Sequence, residues 1–168
     1  VLGRSGDWTA KITGLVTDSR RILPGSLFFA LPGLRSDGHE YLDDVIARGA
    51  AAVISARPVT GLPAVAAAQV VDPRKVLAEV ARRFHGHPET ALQLVGVTGT
   101  NGKTTVTSLL RHLLQTDGSQ WGLVGTVRYH LGRRSIPSYK TTPESADLAA
   151  FFRQMADAEC AGACLEVS

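Results

Sequence analysis

The sequence predicts an α/β fold in which two domains follow one another along the chain. Apolar runs of strand length alternate with stretches whose apolar residues recur at helical spacing, a pattern typical of parallel sheets with helices on both faces. The run His85-Gly86-His87-Pro88 ends one of these helices and indicates a boundary. We therefore expect a small N-terminal α/β domain over residues 1–88 and the first part of a second domain over residues 89–168.

The first segment contains the elements of a separate α/β domain. Its predicted strands are 12–17, 27–31, 51–55 and 64–71, and its predicted helices are 40–48 and 73–84. Gly49 ends the first helix. Asp72-Pro73 supplies a cap and a first helical position for the second helix.

The second segment continues the alternation of strands and helices. The predicted elements are a strand at 92–97, a helix at 103–115, a strand at 121–127, a hairpin at 128–136 and a closing strand at 161–167. Gly132 is expected at the turn of the hairpin. A further helix is predicted before the closing strand, with Thr142 as its cap and Pro143 at its first position.

A glycine-rich loop, Thr98-Gly99-Thr100-Asn101-Gly102-Lys103-Thr104-Thr105, joins the strand at 92–97 to the following helix. The two glycines allow positive φ and a close approach of the backbone to a phosphate, and the helix N-terminus directs N–H groups at the anion. Lys103 adds a positive charge, and Thr104 offers a hydroxyl to a magnesium ion. Val97 stands where the strict pattern has glycine, so the loop is a variant.

We therefore predict a P-loop mononucleotide-binding parallel-sheet domain with a nucleoside triphosphate as its ligand, whose base the loop leaves undefined. The residues predicted to bind it are Gly99, Thr100, Asn101, Gly102, Lys103, Thr104 and Thr105. The alternative is a strand-to-helix turn without a ligand, which would give Gly-Lys-Thr-Thr little structural purpose.

Glu166 is the most informative residue outside the loop. It lies near the carboxyl end of a buried strand, where sheets that carry a phosphate loop place the acid that holds magnesium. The alternative is an acid that reaches solvent at the end of the strand.

Composition and charge argue against several classes of function. The chain has 168 residues, 44% of them hydrophobic, and a net charge of +3 with scattered arginines, so we expect a soluble protein and no nucleic-acid partner. We also expect a monomer. No apolar run approaches the roughly twenty residues of a membrane span, and no signal peptide is evident, which predicts a cytoplasmic protein without a membrane partner. Cys160 and Cys164 lack further zinc ligands nearby and are expected to be buried free thiols.

The loop and several other motifs together resemble the Mur ligase family, and within it the MurE type. The motif Asn101-Gly102-Lys103-Thr104 is similar to the phosphate loop of that family. The other matching motifs are Asp18-Ser19-Arg20, Pro24-Gly25-Ser26-Leu27-Phe28, Ala30 with Gly33, Asp37-Gly38-His39, Arg48-Gly49-Ala50 followed by Val53, Thr141-Thr142-Pro143-Glu144-Ser145 and Leu165-Glu166-Val167-Ser168. They keep their order and approximate spacing over almost the whole chain.

The resemblance implies an ATP-dependent ligase of peptidoglycan precursor synthesis. Such an enzyme adds meso-diaminopimelate or L-lysine to UDP-N-acetylmuramoyl-L-alanyl-D-glutamate through an acyl phosphate. ATP and Mg²⁺ are the implied cofactors, and the UDP-N-acetylmuramoyl dipeptide and an amino acid are the implied partners. Lys103 and Glu166 would be catalytic, and Thr104 and Glu166 would hold the metal. The implied substrate-binding residues are Thr17, Ser19, Gly38, His39, Thr141, Thr142 and Ser168.

The family has three domains, which bind the uridine nucleotide, ATP and the incoming amino acid. This chain resembles the first domain and the opening part of the second. We therefore expect an inactive fragment without the later carbamylated lysine and without the C-terminal domain that selects the amino acid.

Two other functions remain open at this point. Another Mur-like amide ligase, of the folylpolyglutamate or cyanophycin type, would share the loop, although the Asp18-Ser19-Arg20 domain argues against it. A non-catalytic nucleotide-binding module or a P-loop switch protein would not require uridine nucleotides, so uridine binding discriminates. At single positions, Thr142 could serve as a helix cap and His39 could be a solvated loop residue.

Overall fold

The computed structural model describes residues 1–33, 37–59, 65–115 and 118–168. The chain divides into two compact units, Val1–Glu79 and Val80–Ser168. The division lies within the helix Pro73–Phe84, nine residues before the boundary at 88 that the sequence predicts. The histidine, glycine and proline signal therefore marks the end of the helix rather than the place where the contacts change.

The first unit contains a mixed sheet. Its strands are β1 (Gly3–Ser5), β2 (Gly14–Val16), β3 (Ser26–Ala30), β4 (Ala52–Ser55) and β5 (Ala66–Gln69), in the order β1-β5-β4-β3-β2. The last four are parallel, and β1, which the sequence did not indicate, pairs antiparallel with β5. Ala64, the expected start of β5, lies outside the described residues.

Helix α1 (Leu42–Ala47) belongs to the first unit, and helix α2 (Pro73–Phe84) begins in it and ends in the second. Phe28, Val45 and Val53 are almost completely buried in one cluster, so α1 packs against β3 and β4. The Asp72 carboxylate accepts hydrogen bonds from the backbone N–H groups of Arg74 and Lys75, as expected for a cap at the start of α2.

The second unit also contains a mixed sheet. Its strands are β6 (Gln93–Val97), β7 (Trp121–Val124), β8 (Arg128–His130), β9 (Ser135–Pro137) and β10 (Gly162–Glu166), in the order β6-β10-β7-β8-β9. The first three in this order are parallel, whereas β8 and β9 are antiparallel. The hairpin prediction is confirmed, with Gly132 at a φ of 82° in the turn. A hairpin connection is short and therefore makes this edge of the sheet antiparallel.

Helices α3 (Lys103–Leu114) and α4 (Ser145–Asp157) lie on opposite faces of this sheet. Ala163 of β10 belongs to the cluster that includes Phe151 and Met155 of α4, whereas Thr104 of α3 contacts Glu166. Successive residues of a strand point to alternate faces, so positions 163 and 166 face different helices. No helix within the described ranges combines the length and apolar character needed to cross a membrane.

One expectation about these helices was wrong in detail. Helix α4 begins at Ser145 rather than at Pro143, and Thr142 does not cap it because its hydroxyl donates to the backbone oxygen of Glu166. Helix α3 occurs as predicted, but Val106, Leu109 and Leu113 are 44%, 55% and 53% exposed. The described strands therefore cover only part of the apolar face of α3.

Candidate nucleotide and metal site

The glycine-rich loop presents bare backbone at the start of α3. Gly99 has a φ of 143° and Gly102 a φ of 78°, values that favour glycine because it has no Cβ. Gly102 is the N-cap, and among the described residues no side-chain cap hydrogen bond is made there. Thr100, Asn101 and Thr105 are exposed. Unsatisfied N–H groups at a helix N-terminus suit an anion such as a phosphate.

The Lys103 side chain folds back across this loop. Its Nζ donates a hydrogen bond to the backbone oxygen of Gly99 at 2.7 Å. The ammonium group therefore lies beside the same loop as the free N–H groups, and both contribute positive potential there.

The structure brings Thr104 and Glu166 together although they are 62 positions apart. The Thr104 hydroxyl donates to Oε2 of Glu166 at 3.0 Å, and Glu166 is only 2% exposed. The register explains the contact, because Glu166 at the end of β10 pairs with Val97 at the end of β6, immediately before the loop. The alternative in which Glu166 reaches solvent is therefore wrong.

Thr126, which the sequence did not single out, holds both oxygens of this carboxylate. Its backbone N–H donates to Oε1 of Glu166 at 2.9 Å, and its hydroxyl donates to Oε2 at 2.8 Å. The preceding residue, Gly125, has no side chain for a steric reason, since a Cβ there would lie 2.2 Å from Oε1. The Gly-Thr pair directly after a buried strand is visible in the sequence, but it does not indicate that Glu166 is the partner.

Thr141, Thr142 and Ser168 lie at the same edge of the sheet. The hydroxyl oxygens of Thr141 and Thr126 are 3.2 Å apart. Thr126 has a single hydroxyl proton, and if Glu166 accepts it, then Thr141 is the donor in the second contact. The Thr142 hydroxyl donates to the backbone oxygen of Glu166 at 2.9 Å and accepts from the N–H of Ser168 at 3.1 Å.

The predicted substrate residues of the first unit lie at the carboxyl ends of its parallel strands. Thr17 follows β2, and Ser19 begins the 3-10 turn Ser19–Arg21. Gly38 lies so close to the backbone just after β3 that a Cβ there would be 2.8 Å from the N–H nitrogen of Leu31. Nδ1 of His39 is 3.0 Å from the hydroxyl oxygen of Ser55 at the end of β4, so this histidine is not a freely solvated loop residue.

Charged groups order the two loops that carry these residues. The Asp18 carboxylate accepts from the backbone N–H of Arg20 and pairs with its guanidinium at 2.7 Å. This hydrogen-bonded pair lowers the pKa of Asp18 to about 2. In the other loop, Asp37 accepts from the N–H of His39 and pairs with the Arg57 guanidinium at 2.7 Å. The edge of this sheet is therefore held in a defined conformation.

Two protein-family models match the chain. Residues 11–85 match the Mur ligase family, catalytic domain, and residues 97–168 match the Mur ligase middle domain. Together they include every predicted site residue.

Similar proteins carry related names. The chain is 45% identical over 158 residues to the UDP-N-acetylmuramoyl-L-alanyl-D-glutamate–2,6-diaminopimelate ligase of Geobacillus kaustophilus, covering 94% of this chain and 32% of the relative. A solved structure of a ligase with the same name shares 24% identity, with a TM-score of 0.71 over 94% of this chain and 32% of that one. A MurF ligase from Thermotoga maritima in complex with ADP shares 25% identity, with a TM-score of 0.61 over 94% of this chain and 32% of that one. The chain thus spans about a third of the length of these proteins.

Proposed function

Because the chain belongs to the Mur ligase family, we propose that it is part of an ATP-dependent ligase that extends the peptide of a UDP-N-acetylmuramoyl precursor. The observation that carries the proposal is the contact between Thr104, at the start of the helix after the glycine-rich loop, and the buried carboxylate of Glu166. A hydroxyl and a carboxylate joined beside a phosphate-binding loop are the arrangement that an ATP·Mg²⁺ site requires.

The residues present at this site fit both the phosphates of ATP and a magnesium ion. The loop amides and Lys103 supply positive potential for the ATP phosphates, and the ADP in the Thermotoga maritima ligase supports a nucleotide in a related protein. Thr104 and Glu166 offer oxygen atoms, which Mg²⁺ prefers together with phosphate oxygens and water. Bound Mg²⁺ would neutralise charge on the outer phosphates.

The proposed reaction forms an amide bond between a carboxyl carbon of the substrate and the amine nitrogen of the incoming amino acid, and it consumes ATP. The substrate carboxylate attacks the γ-phosphorus, the bond to the β-phosphate oxygen breaks, and an acyl phosphate and ADP result. The amine of the incoming amino acid then displaces phosphate and loses a proton. Two anions meet in the first step, and the Lys103 ammonium lowers their repulsion beside the loop.

The substrate residues are proposed for the two units separately. Thr17, Ser19, Gly38 and His39 would bind the uridine nucleotide at the strand ends of the first unit. Thr141, Thr142 and Ser168 would contact the muramoyl dipeptide in the second unit. The name of the Geobacillus kaustophilus relative favours 2,6-diaminopimelate over L-lysine as the amino acid. A cytoplasmic monomer remains part of this proposal.

Calorimetry with ATP and Mg²⁺ tests the nucleotide site on this chain. Lys103→Ala should weaken binding by at least about tenfold, since a cation that contacts phosphate is lost. Lys11→Ala removes an exposed lysine from the first unit and is the matched control, expected to bind as the unchanged chain does.

A second titration, with UDP-N-acetylmuramoyl-L-alanyl-D-glutamate, tests the substrate class. Binding of this compound, and weaker binding after Ser19→Ala, would support the ligase assignment and exclude a P-loop switch protein. An unchanged ATP affinity for Lys103→Ala would contradict the proposed role of the loop.

A further inference from the structure

A cavity in the unit Val80–Ser168 lies beside the candidate nucleotide site. It measures about 250 Å³, and its polar lining comes from Thr104, Ser108, Arg111, Arg128, His130 and Glu166. Thr104 and Glu166 belong to the site described above. Arg111, seven residues after Thr104 on α3, is about 10 Å further along the helix axis. The cavity therefore extends from the nucleotide site towards a group of basic side chains.

Neutral oxygen atoms orient both arginines of this cavity. Nε of Arg111 donates to the backbone oxygen of Trp121 at 2.7 Å. Nε of Arg128 donates to the hydroxyl of Ser135 at 2.9 Å, and its Nη2 to the backbone oxygen of the same residue at 3.3 Å. These bonds fix the direction of each guanidinium without neutralising its charge.

The two arginines of the cavity, Arg111 and Arg128, are not paired with a carboxylate in the part of the chain that the structure describes, although Glu166 lines the other end of the cavity. Burial lowers the pKa of Arg111, and burial, followed by the charges of Arg111 and Arg128, lowers the pKa of His130. Arg111 is partly buried, whereas Arg128 is exposed. A partly buried charge is normally paired, so Arg111 favours an anionic ligand, which the exposed Arg128 can contact from the same cavity.

We infer that this cavity binds a phosphate-type oxyanion between Arg111 and Arg128, as a site separate from the glycine-rich loop. Two guanidinium groups with free N–H donors match the oxygen atoms of a tetrahedral oxyanion. The Ser108 hydroxyl and one N–H of the His130 ring add hydrogen-bond donors. The Glu166 carboxylate repels an anion, which places the ligand at the arginine end. This ligand class follows from the cavity and does not depend on the proposed ligase function.

An NMR titration of the ¹⁵N-labelled chain with inorganic phosphate tests the site. In the unchanged protein, the Nε–H resonances of Arg111 and Arg128 should shift along saturable curves. Arg128→Gln should raise the phosphate dissociation constant obtained from the Arg111 curve by at least about tenfold, because charge-assisted hydrogen bonds are lost. Arg133→Gln removes an exposed arginine from the same hairpin and should leave that constant unchanged.

Further variants separate this site from the nucleotide site and from a folding defect. Lys103→Ala should leave the phosphate response of Arg111 intact, whereas phosphate bound only at the loop would lose it. If Arg128→Gln fails to give the spectrum of a folded chain, Ser108→Ala, on the exposed surface of α3, replaces it and should also weaken binding. Absence of saturable shifts, equal weakening by Arg133→Gln, or loss of the response in Lys103→Ala would overturn the inference.

Discussion

Thr126→Val tests whether Thr126 holds the buried carboxylate of Glu166. The change removes the hydroxyl that donates to Oε2 at 2.8 Å and keeps the backbone N–H that donates to Oε1. Valine has nearly the shape of threonine, so little packing is lost. A hydrogen bond to a charged group contributes about 1.5–3 kcal/mol. Thr126 is itself exposed and water can partly replace its hydroxyl, so we expect a loss of about 1–2 kcal/mol in unfolding free energy.

Urea unfolding followed by tryptophan fluorescence measures this loss. Trp121 is buried in β7 and reports on the second unit, whereas Trp8 is 41% exposed and belongs to the first. All proteins should therefore carry Trp8→Phe, which leaves Trp121 as the single tryptophan. The expected loss corresponds to a midpoint lower by about 0.5–1 M urea.

Two controls decide the cause of the change. Thr126→Ser keeps the hydroxyl and should unfold close to the unchanged protein. Thr105→Val makes the same replacement at an exposed position of α3 and should stay within about 0.5 kcal/mol. If Thr126→Val unfolds at the same urea concentration as Thr105→Val, the hydroxyl does not support the carboxylate and our reasoning is wrong.

Three further predictions concern Gly125, the two cysteines and Asp18. Gly125→Ala should displace the Glu166 carboxylate and weaken ATP·Mg²⁺ binding in calorimetry, because its Cβ would lie 2.2 Å from Oε1; unchanged binding would contradict this. Cys160 and Cys164 are buried and burial raises the pKa of both thiols, so iodoacetamide should label them at pH 7.5 only after unfolding. The pKa of Asp18 is about 2 in the folded chain, below its ordinary value of 3.8, so its contribution to stability is present above about pH 4 and lost as the pH falls towards 2. The difference in unfolding midpoint between the unchanged protein and Arg20→Gln should therefore shrink over that range.

Local signals account for most of what the sequence predicted correctly. The glycine-rich loop, helix α3 and the hairpin around Gly132 each depend on residues close together in the chain. The buried thiols follow from the apolar residues around them and are confirmed. Local patterns failed where a distant partner competed for a side chain. Thr142 has the residue type and position of a helix cap, yet its hydroxyl is used by the backbone of Glu166 in β10.

The support of Glu166 shows why the remaining part of the site could not be read from motifs. The strand order places β7 beside β10, and Leu165 pairs with Val124. The next residues along, Gly125 and Glu166, are therefore neighbours where the two strands end. A residue without a side chain is needed at this point, and the Thr126 N–H and hydroxyl that follow reach both carboxylate oxygens. This relation depends on which strands are adjacent, and no periodicity within 121–127 or 161–167 encodes that adjacency. Identification of Thr126 thus required the register of two strands that lie far apart in the sequence.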